Sequence, residues 1–432
     1  MRILYNYFLA SLSFLAALSW SQLISVYWYF FFLELPKYTF AALSFLPGLK
    51  PDTKYNEQIF SRRILANPPL VSIIVPAYNE ADTILTTLQS LIKQNYPHKE
   101  IIVVDDGSND ATPSVCQPLA EAGRIRYLRN NNRGGKSSAL NMGLGYAQGE
   151  YIMTADADTL FDLNAVTQAL LGFADPGVGA VSGNIRVANA QENLLTGLQA
   201  INYLLSISWG RALNARLNIL TIVSGAFGIY PRRVLERVGG WDVGPGEDGD
   251  LTQKIRKLGL KIAFCHKAVC WTRVPATLAA FIRQQRRWGR TLVRNRLRKH
   301  RDFFCLWRAD FSFSNFWGAL EVLFLNILPT YAFLFYLPWL FVYYRQAVFI
   351  ILLTGYIFSQ LFSFGRFLLI WLFLDYKREN IFLLPYLPLY NLFNFCFFRF
   401  IRLWAYSEEL LFRRSYTDPQ VPAWVLEKSP RW

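Results

Sequence analysis

Short apolar runs alternate with amphipathic segments from about residue 69 to residue 275. The runs are rich in Val, Ile and Tyr, a pattern typical of buried strands, and fall at 71–78, 100–104, 124–128, 151–153, 178–187 and 222–230. Helical patterns separate them, most clearly at 79–93, 136–147, 192–216 and 249–258. Strands and helices alternating at this spacing predict an α/β fold, with a mainly parallel sheet covered by helices on both faces.

Carboxylates and polar turn residues follow successive predicted strands. In chain order they are Asn79 and Glu80, Asp105 and Asp106, and Asp156 and Asp158. Ligands of open α/β sheets bind outside the carboxyl ends of the strands, so we expect these side chains to share one site. The pair Asp156 and Asp158 suits Mg²⁺, which is commonly held by one or two carboxylates together with substrate phosphates. Taken alone, two aspartates one residue apart can equally be a solvated turn.

Long uncharged stretches at both ends of the chain predict membrane-spanning helices. Residues 7–33 are 27 positions without a charge. A spanning helix needs about 20, whereas the apolar core of a signal peptide has only about 7–15. Three further stretches lie at 322–344, 346–365 and 381–398, and Pro385 and Pro388 weaken the last of them.

Basic residues orient these predicted spans. Those that follow the first stretch are Lys37, Lys50, Lys54, Arg62 and Arg63. The positive-inside rule therefore places the α/β domain in the cytoplasm, and the loop with Lys377 and Arg378 fits the same orientation. Arg399, Arg402, Arg413 and Arg414 would then lie outside, against this rule, which leaves a bent or interfacial third stretch as the alternative. The chain is predicted to be an integral protein of the bacterial inner, or plasma, membrane.

A strongly basic stretch lies between the α/β region and the C-terminal apolar region. Residues 283–301 hold nine Lys and Arg and no acid, with apolar residues such as Trp288 and Leu292 interleaved. This pattern predicts an amphipathic helix at an anionic membrane surface, where membrane lipids are the partners. A solvated basic helix face is the alternative.

The composition agrees with a membrane protein that meets anionic partners. The chain has 432 residues, of which 53% are hydrophobic and 17% charged, and its net charge is +15. A basic balance indicates nucleic acid, anionic lipid or an anionic substrate. Since no nucleic-acid-binding module is visible, nucleic acid is not an expected partner. The five cysteines show no zinc-site spacing.

Six motifs stand in a fixed order along the chain. They are VSIIVPAYNE (71–80), VVDDGSNDAT (103–112), NRGGKSSALNMG (132–143), DAD (156–158), GED (246–248) and QQRRW (284–288). Together they resemble the family 2 glycosyltransferases. The Q-x-x-R-W element resembles the membrane-embedded branch, which includes cellulose, chitin, hyaluronan and bacterial poly-N-acetylglucosamine synthases. The resemblance implies a GT-A catalytic domain flanked by transmembrane helices.

The resemblance also implies a role for each matching residue. Those expected to line the donor pocket are Pro76, Ala77, Tyr78, Glu80, Asp106, Lys136 and Asp156, with Asp106 at the uracil base and Asp156 at the ribose or diphosphate. Asp158 would ligate Mg²⁺ or Mn²⁺, and Asp248 would be the general base. Those expected to contact the diphosphate or the acceptor sugar are Glu247, Gln284, Arg287 and Trp288. Gly246 stands where many relatives have Thr, and we expect little consequence because Asp248 keeps its place.

These roles predict an inverting transfer, because they include one carboxylate base and no nucleophile. The expected reaction moves a sugar, N-acetylglucosamine in the leading hypothesis, from a UDP-sugar to a growing β-linked polysaccharide. A small membrane partner protein is common among the poly-N-acetylglucosamine synthases that the chain resembles. One alternative is the transfer of a single sugar to a lipid, because ceramide glucosyltransferases also carry Q-x-x-R-W. Another is a membrane-anchored protein that binds anions through residues 283–301.

The expected domain division follows these patterns. Residues 1–49 are predicted to form an N-terminal transmembrane segment, and residues 50–275 the GT-A domain. Residues 276–312 would be the basic interface region and residues 313–406 the C-terminal transmembrane region. The remaining residues, 407–432, are expected to be a short tail without a regulatory domain.

Overall fold

The computed structural model describes residues 2–36, 60, 62, 64, 66–373, 380–418 and 421–431. Most of the basic residues used above to orient the first span, and the loop with Lys377 and Arg378, lie outside these ranges.

In the described part of the chain, eight strands form one mixed sheet. They are β1 (Val71–Ala77), β2 (Lys99–Asp105), β3 (Arg126–Arg129), β4 (Tyr151–Ala155), β5 (Thr159–Phe161), β6 (Val178–Val187), β7 (Phe227–Pro231) and β8 (Lys261–Thr272). Their order across the sheet is β3-β2-β1-β4-β7-β6-β8-β5. β1 pairs in parallel with β2 and β4, as do β2 with β3 and β6 with β8. The antiparallel pairs are β4 with β7, β6 with β7, and β5 with β8. Because the parallel pairs outnumber the antiparallel ones, the predicted α/β class with a mainly parallel sheet is confirmed.

The central strands are buried on both faces, which explains why their sequences are continuous apolar runs. Successive side chains of a strand point to opposite faces. Accordingly Ile73 packs in one apolar cluster with Leu88, while Ile74 packs in a second cluster with Leu140. Full burial of one such side chain contributes roughly 1.5–3 kcal/mol. Two apolar cores therefore hold β1 rigidly, and its carboxyl end opens into the candidate site.

Helices cover the sheet and extend beyond it. Those of the sheet region are Ile84–Ile92, Thr112–Glu121, Lys136–Tyr146, Ala165–Leu170, Leu194–Asn202, Arg211–Arg216, Arg232–Val238 and Glu247–Lys257. Those outside it are Arg2–Ala17, Trp20–Val26, Leu278–Val293, Phe313–Val322, Leu328–Tyr343, Val348–Phe373, Leu387–Leu392, Arg399–Phe412 and Ala423–Lys428. Wider, π-helical turns extend or join helices at Phe30–Glu34, Tyr203–Gly210, Arg294–Lys299, Leu323–Ile327 and Phe393–Phe398. Single 3₁₀ turns lie at Leu171–Phe173, Arg301–Phe304, Leu384–Tyr386 and Arg414–Thr417.

Two helices among the described residues are long and apolar enough to cross a membrane, Phe313–Tyr343 and Val348–Leu372. They contain most of the predicted stretches 322–344 and 346–365 and are compatible with a membrane location. The stretch 7–33 differs from the prediction, because it is not one continuous helix. Ser19 begins a new helix by accepting a hydrogen bond from the Gln22 amide, and the Gln22 side chain accepts one from the Ser19 amide.

The third stretch, 381–398, also differs from the prediction, because its helix does not end at residue 398. Its helix continues through Arg399 to Phe412. The Arg399 guanidinium pairs with Glu34 at 2.5 Å and donates a hydrogen bond to the Tyr29 hydroxyl. Arg399 therefore lies inside the protein against the N-terminal helices.

The basic stretch forms the helix Leu278–Val293, which packs along the helix Arg399–Phe412. Glu408 of the second helix pairs with Arg286 at 2.5 Å and with Arg290 at 2.6 Å. Glu409 pairs with Arg298 at 3.0 Å. Part of the positive charge of residues 283–301 is thus neutralised within the protein, which the sequence pattern did not predict.

We expect Glu409→Ala to lower the thermal midpoint of unfolding of the detergent-solubilised protein. The Glu409 side chain is fully buried, and it also accepts hydrogen bonds from the Ser415 amide and hydroxyl at 2.7 and 3.0 Å. Its removal would leave the Arg298 guanidinium without its carboxylate partner, a change that costs about 3–5 kcal/mol for buried pairs. Asp310→Ala, which removes the exposed partner of Arg308, is the control and should have little effect. Equal shifts for the two variants would contradict this account.

Candidate active site

The candidate site lies where the carboxyl ends of β1, β2 and β4 meet the start of the helix Glu247–Lys257. Lys136 stands at its centre, at the first position of the helix Lys136–Tyr146. Its ammonium group forms an ion pair with Asp156 and lies 3.6 Å from the nearer Glu247 carboxylate oxygen. One cation therefore brings together the D-A-D motif and the G-E-D motif, which are far apart in the sequence.

The negative charge around Lys136 shifts several pKa values. Burial lowers the pKa of Lys136, but the carboxylates of Asp156 and Glu247 outweigh that effect and raise it. Burial raises the pKa of Asp158, and the neighbouring charge of Asp156 raises it further. The pKa of Glu80 is raised mainly by burial, with smaller contributions from Asp158 and Asp156. The site therefore concentrates negative charge that a bound cation would relieve.

The donor set fits a cation that is shared with a substrate. Among the described residues, no group of three or more His, Cys, Asp or Glu side chains is placed to hold a metal ion by itself. Mg²⁺ is usually held by one or two carboxylates with several waters or phosphate oxygens. Asp158, whose Oδ1 accepts a hydrogen bond from the Thr159 hydroxyl at 3.1 Å, and the adjacent Asp156 match that smaller set.

The end of β1 holds the predicted donor-pocket residues Pro76 and Ala77, and the turn after it holds Tyr78 and Glu80. Asn79 has a left-handed backbone, with φ of 57°, and its amide donates to the Ser108 hydroxyl at 2.9 Å. These contacts delay the following helix, which begins at Ile84 rather than near residue 79. The guanidinium carbon of Arg133 lies over the Tyr78 ring, 3.9 Å from the centre of the ring. Arg133, within the N-R-G-G-K motif, was not singled out from the sequence.

Asp106 is nearly buried and holds the loop that precedes Lys136. Its Oδ1 accepts hydrogen bonds from the Asn130 side chain at 2.9 Å and the Gly134 amide at 2.8 Å. Its Oδ2 accepts one from the Gly135 amide at 2.6 Å. The structure thus gives Asp106 a role in placing Lys136, whereas the resemblance implies a contact with the uracil base.

Asp248 lies in the first turn of the helix Glu247–Lys257, where the helix dipole favours a carboxylate. Its Oδ1 accepts from the Gly249 amide at 2.6 Å, and its Oδ2 from the Gly225 amide at 3.4 Å. Burial raises the pKa of the neighbouring Glu247, and the Lys136 charge opposes that rise. Asp248 is partly exposed, so a hydroxyl group can reach it.

The helix Leu278–Val293 carries the Q-x-x-R-W motif, and its Thr291 packs against Gly246 in the loop before Asp248. Gln284 Oε1 is buried without a hydrogen-bond partner. Trp288 is 40% exposed. No ion pair links Arg287 to any described carboxylate. The polar groups of this motif are therefore available to a ligand.

The loop before Asp248 is hydrogen-bonded to the π-helical turn Arg294–Lys299, which follows the helix Leu278–Val293. Asn295 Nδ2 donates to the Gly246 carbonyl at 2.9 Å, and Arg294 Nη1 donates to the Pro245 carbonyl at 2.9 Å. Gly246 has a φ of 75°, and a Cβ atom there would lie 1.8 Å from Thr291 Cγ2. A Cβ atom at position 246 would therefore overlap Thr291, so the packing of this loop depends on glycine. The expectation that Gly246 has little consequence for Asp248 stays a prediction.

The C-terminal residues 421–431 bridge two loops of the site. The Trp424 indole donates to the Arg133 carbonyl at 3.1 Å, and the Ser429 hydroxyl donates to the Val243 carbonyl at 3.4 Å. Pro422 lies close to Gly135. The segment expected to be only a short tail thus connects the loop before Lys136 with the loop before Asp248. In the sequence, the apolar residues Pro422 and Trp424 were the signal that could have indicated this packing.

The mixed sheet, with acids gathered at the carboxyl ends of its parallel strands, defines a GT-A type of α/β domain. Residues 72–239 match the glycosyl transferase family 2. The chain therefore carries a family 2 glycosyl transferase domain, and the family inferred from the six motifs is confirmed.

Relatives and a solved structure agree with this class. A poly-beta-1,6-N-acetyl-D-glucosamine synthase of Staphylococcus epidermidis is 32% identical over 221 residues, which cover 51% of this chain and 53% of the relative. One of Staphylococcus aureus is 30% identical over 273 residues, 62% of each chain. The chain thus matches a little more than half the length of these relatives. A mannosyltransferase of Pyrobaculum calidifontis, solved with GDP-Man and Mn²⁺, has a TM-score of 0.55 at 23% identity and covers 83% of this chain and 99% of its own. That likeness supports the fold.

We expect Gly246→Ala to lower the thermal midpoint of unfolding far more than Gly259→Ala. Both glycines have left-handed backbones, with φ of 75° and 77°, which costs any other residue about 1–2 kcal/mol. A Cβ at Gly259 meets nothing within 4 Å, so the difference between the variants isolates the overlap with Thr291. Adding Thr291→Ser, which removes Cγ2, should recover most of that difference. A double variant as unstable as Gly246→Ala alone would refute the steric explanation.

Proposed function

We propose that this protein is a membrane-bound, inverting glycosyltransferase that adds N-acetylglucosamine from a UDP-sugar to a growing β-linked polysaccharide. The observation that carries the proposal is the meeting of Asp156, Glu247 and Lys136 beside Asp248, with the Q-x-x-R-W helix nearby. Two curated relatives are named poly-beta-1,6-N-acetyl-D-glucosamine synthase, which supports the choice of sugar and product.

In the proposed reaction the acceptor hydroxyl gives its proton to Asp248. The hydroxyl oxygen forms the new bond to the anomeric carbon, and the bond to the diphosphate breaks with its electron pair leaving on the diphosphate. A transition state of this kind resembles an oxocarbenium ion, as in glycoside hydrolysis. Attack from the side opposite the leaving group converts an α-linked donor into a β-linked product.

The other residues would bind and orient the donor. Pro76, Ala77, Tyr78 and Glu80 would form the wall of the nucleotide pocket, with Asp106 beside it. Asp158, supported by Asp156, would hold Mg²⁺ or Mn²⁺, which when bound neutralises charge on the leaving diphosphate. Lys136 would keep Asp156 and Glu247 in place.

The remaining motif residues lie on the Q-x-x-R-W helix. Arg287 offers a guanidinium suited to a diphosphate. Trp288 offers a flat apolar face for a sugar ring, and the Gln284 carbonyl oxygen offers a hydrogen-bond acceptor. We propose that these three groups close over the diphosphate and the acceptor sugar.

We also propose the membrane arrangement and domain division. The GT-A domain, residues 50–275, would lie in the cytoplasm, with membrane segments before it (1–49) and after it (313–406). Residues 276–312 would rest at the membrane surface and residues 407–432 beside the site. A small membrane protein is a further proposed partner.

We expect the purified protein in detergent or nanodiscs to release UDP from UDP-N-acetylglucosamine, and to release little from UDP-glucose or UDP-galactose. Activity should require added Mg²⁺ or Mn²⁺ and disappear with a chelator. The product should be a polymer that a β-hexosaminidase degrades. A single sugar recovered in the organic phase would instead support transfer to a lipid, and absence of UDP release from any donor would overturn the enzyme assignment.

We expect Asp248→Asn to reduce sugar transfer by about 10²- to 10⁴-fold, the usual contribution of a general base, without lowering the thermal midpoint of unfolding. Asp242→Asn is the matched control. Asp242 lies in the same loop region, is 44% exposed and pairs with Lys254 and Lys299 rather than with the site. Its activity should stay within about twofold of the wild type. Equal losses in both variants, measured as initial UDP release, would show that Asp248 is not the base.

A further inference from the structure

The C-terminal segment 421–431 is anchored on the Asp248 side of the site. The Tyr416 hydroxyl donates a hydrogen bond to the Pro430 carbonyl at 3.0 Å. Arg294 Nε donates to the same hydroxyl oxygen at 3.3 Å, and Arg294 also holds the loop before Asp248. One guanidinium therefore fixes both the C-terminal segment and the loop that leads to the proposed base.

From this anchor the segment reaches the loop 133–135, which directly precedes Lys136. The Trp424 indole N–H donates to the Arg133 carbonyl at 3.1 Å. A Cβ atom at Gly135 would lie 3.3 Å from Pro422 Cδ, so the proline ring packs closely on the backbone of the loop. The C-terminal segment thus contacts the loop through one hydrogen bond and one close apolar contact.

One peptide group of this loop, between Arg133 and Gly134, is held from both sides. Its carbonyl accepts from Trp424 at 3.1 Å, and its N–H donates to Asp106 at 2.8 Å. The carbonyl and the N–H of a planar trans peptide point in opposite directions, so the two bonds together fix the orientation of the peptide plane. The Arg133 side chain extends from this peptide to the Tyr78 ring, 3.9 Å away. Trp424 therefore helps to determine where the Arg133 guanidinium lies.

We infer that Trp424 is a positioning residue for donor binding, which keeps Arg133 over Tyr78 in the wall of the nucleotide pocket. The inference rests on the proposed function and extends it to a residue outside the six motifs. A loop that already has its bound conformation binds more tightly, because less ordering is needed when the ligand arrives. Loss of the Trp424 hydrogen bond should therefore weaken binding of the nucleotide and leave the acceptor side unchanged.

The test is Trp424→Phe, which removes the indole N–H and keeps an aromatic ring at a half-exposed position. We expect the KM for UDP-N-acetylglucosamine, measured by transfer of radiolabelled sugar, to rise about 3- to 10-fold, as for the loss of one hydrogen bond. The inhibition constant of UDP should rise by the same factor, because the affected contacts are those of the nucleotide. The kcat and the KM for an N-acetylglucosamine oligosaccharide should stay within about twofold. Glu427→Gln, an exposed position on the same helix, is the control and should behave as the wild type.

A double variant tests whether Trp424 acts through Arg133. Arg133→Ala removes the guanidinium over Tyr78 and should itself raise the KM for the donor. If Trp424 only positions that side chain, Trp424→Phe should change the KM of the Arg133→Ala protein by less than about twofold. Residues that act through each other give such non-additive effects, whereas independent residues give effects that multiply. Multiplied effects would overturn the inference.

The other outcomes of the single variant are equally decisive. An unchanged KM for the donor, or a lowered kcat with an unchanged KM, would overturn the inference. A similar rise in the KM for donor and oligosaccharide, with a lower thermal midpoint of unfolding, would assign Trp424 to folding alone. If Trp424→Phe does not fold, Pro422→Ala decides in the same assay, and an unchanged KM for the donor overturns the inference. A wild-type protein that transfers sugar from no nucleotide donor would overturn the proposed function itself, a result distinct from any effect of Trp424.

Discussion

One ammonium group, that of Lys136, joins the two halves of the candidate site. On one side it pairs with Asp156 at the end of β4, and on the other it approaches Glu247, the neighbour of Asp248. Its own position depends on the loop that Asp106 holds by three hydrogen bonds. The ends of β2 and β4 and the start of one helix are thus linked through a single side chain. A change in any of these strand ends is expected to reach the others through Lys136.

The helix Leu278–Val293 adds a second link, between the site and the C-terminal helices. One part of its surface carries Gln284, Arg287 and Trp288, while Arg286 and Arg290 bind Glu408. The following turn holds the loop before Asp248. The basic residues that indicated a membrane surface in the sequence therefore also carry structural ion pairs. Movement of the helix Arg399–Phe412 would be transmitted to Asp248 and to the residues Gln284, Arg287 and Trp288 together.

The sequence predicts those parts of the fold and of the site that depend on local patterns of apolar and polar residues. Strand β6 coincides with the predicted run 178–187, and the acids after β1, β2 and β4 are adjacent in the chain to the strands that position them. Strand β8 is not predicted, because Lys261, His266 and Lys267 interrupt its apolar pattern. The fit of Gly246 against Thr291 and the contact of Trp424 with Arg133 join residues far apart in sequence. No local pattern contains such contacts, so they emerge only when the chain is folded.

The ion pair between Glu34 and Arg399 has a consequence for synthesis. Its partners are 365 residues apart in the chain. At about 5–20 residues per second, Arg399 leaves the ribosome roughly 20–70 s after Glu34. The Glu34 carboxylate at the end of the N-terminal helices must therefore remain without this partner until the helix that carries Arg399 has been synthesised. Final docking of the two chain ends is a late event, and quality-control proteases have that interval in which to act on the incomplete protein.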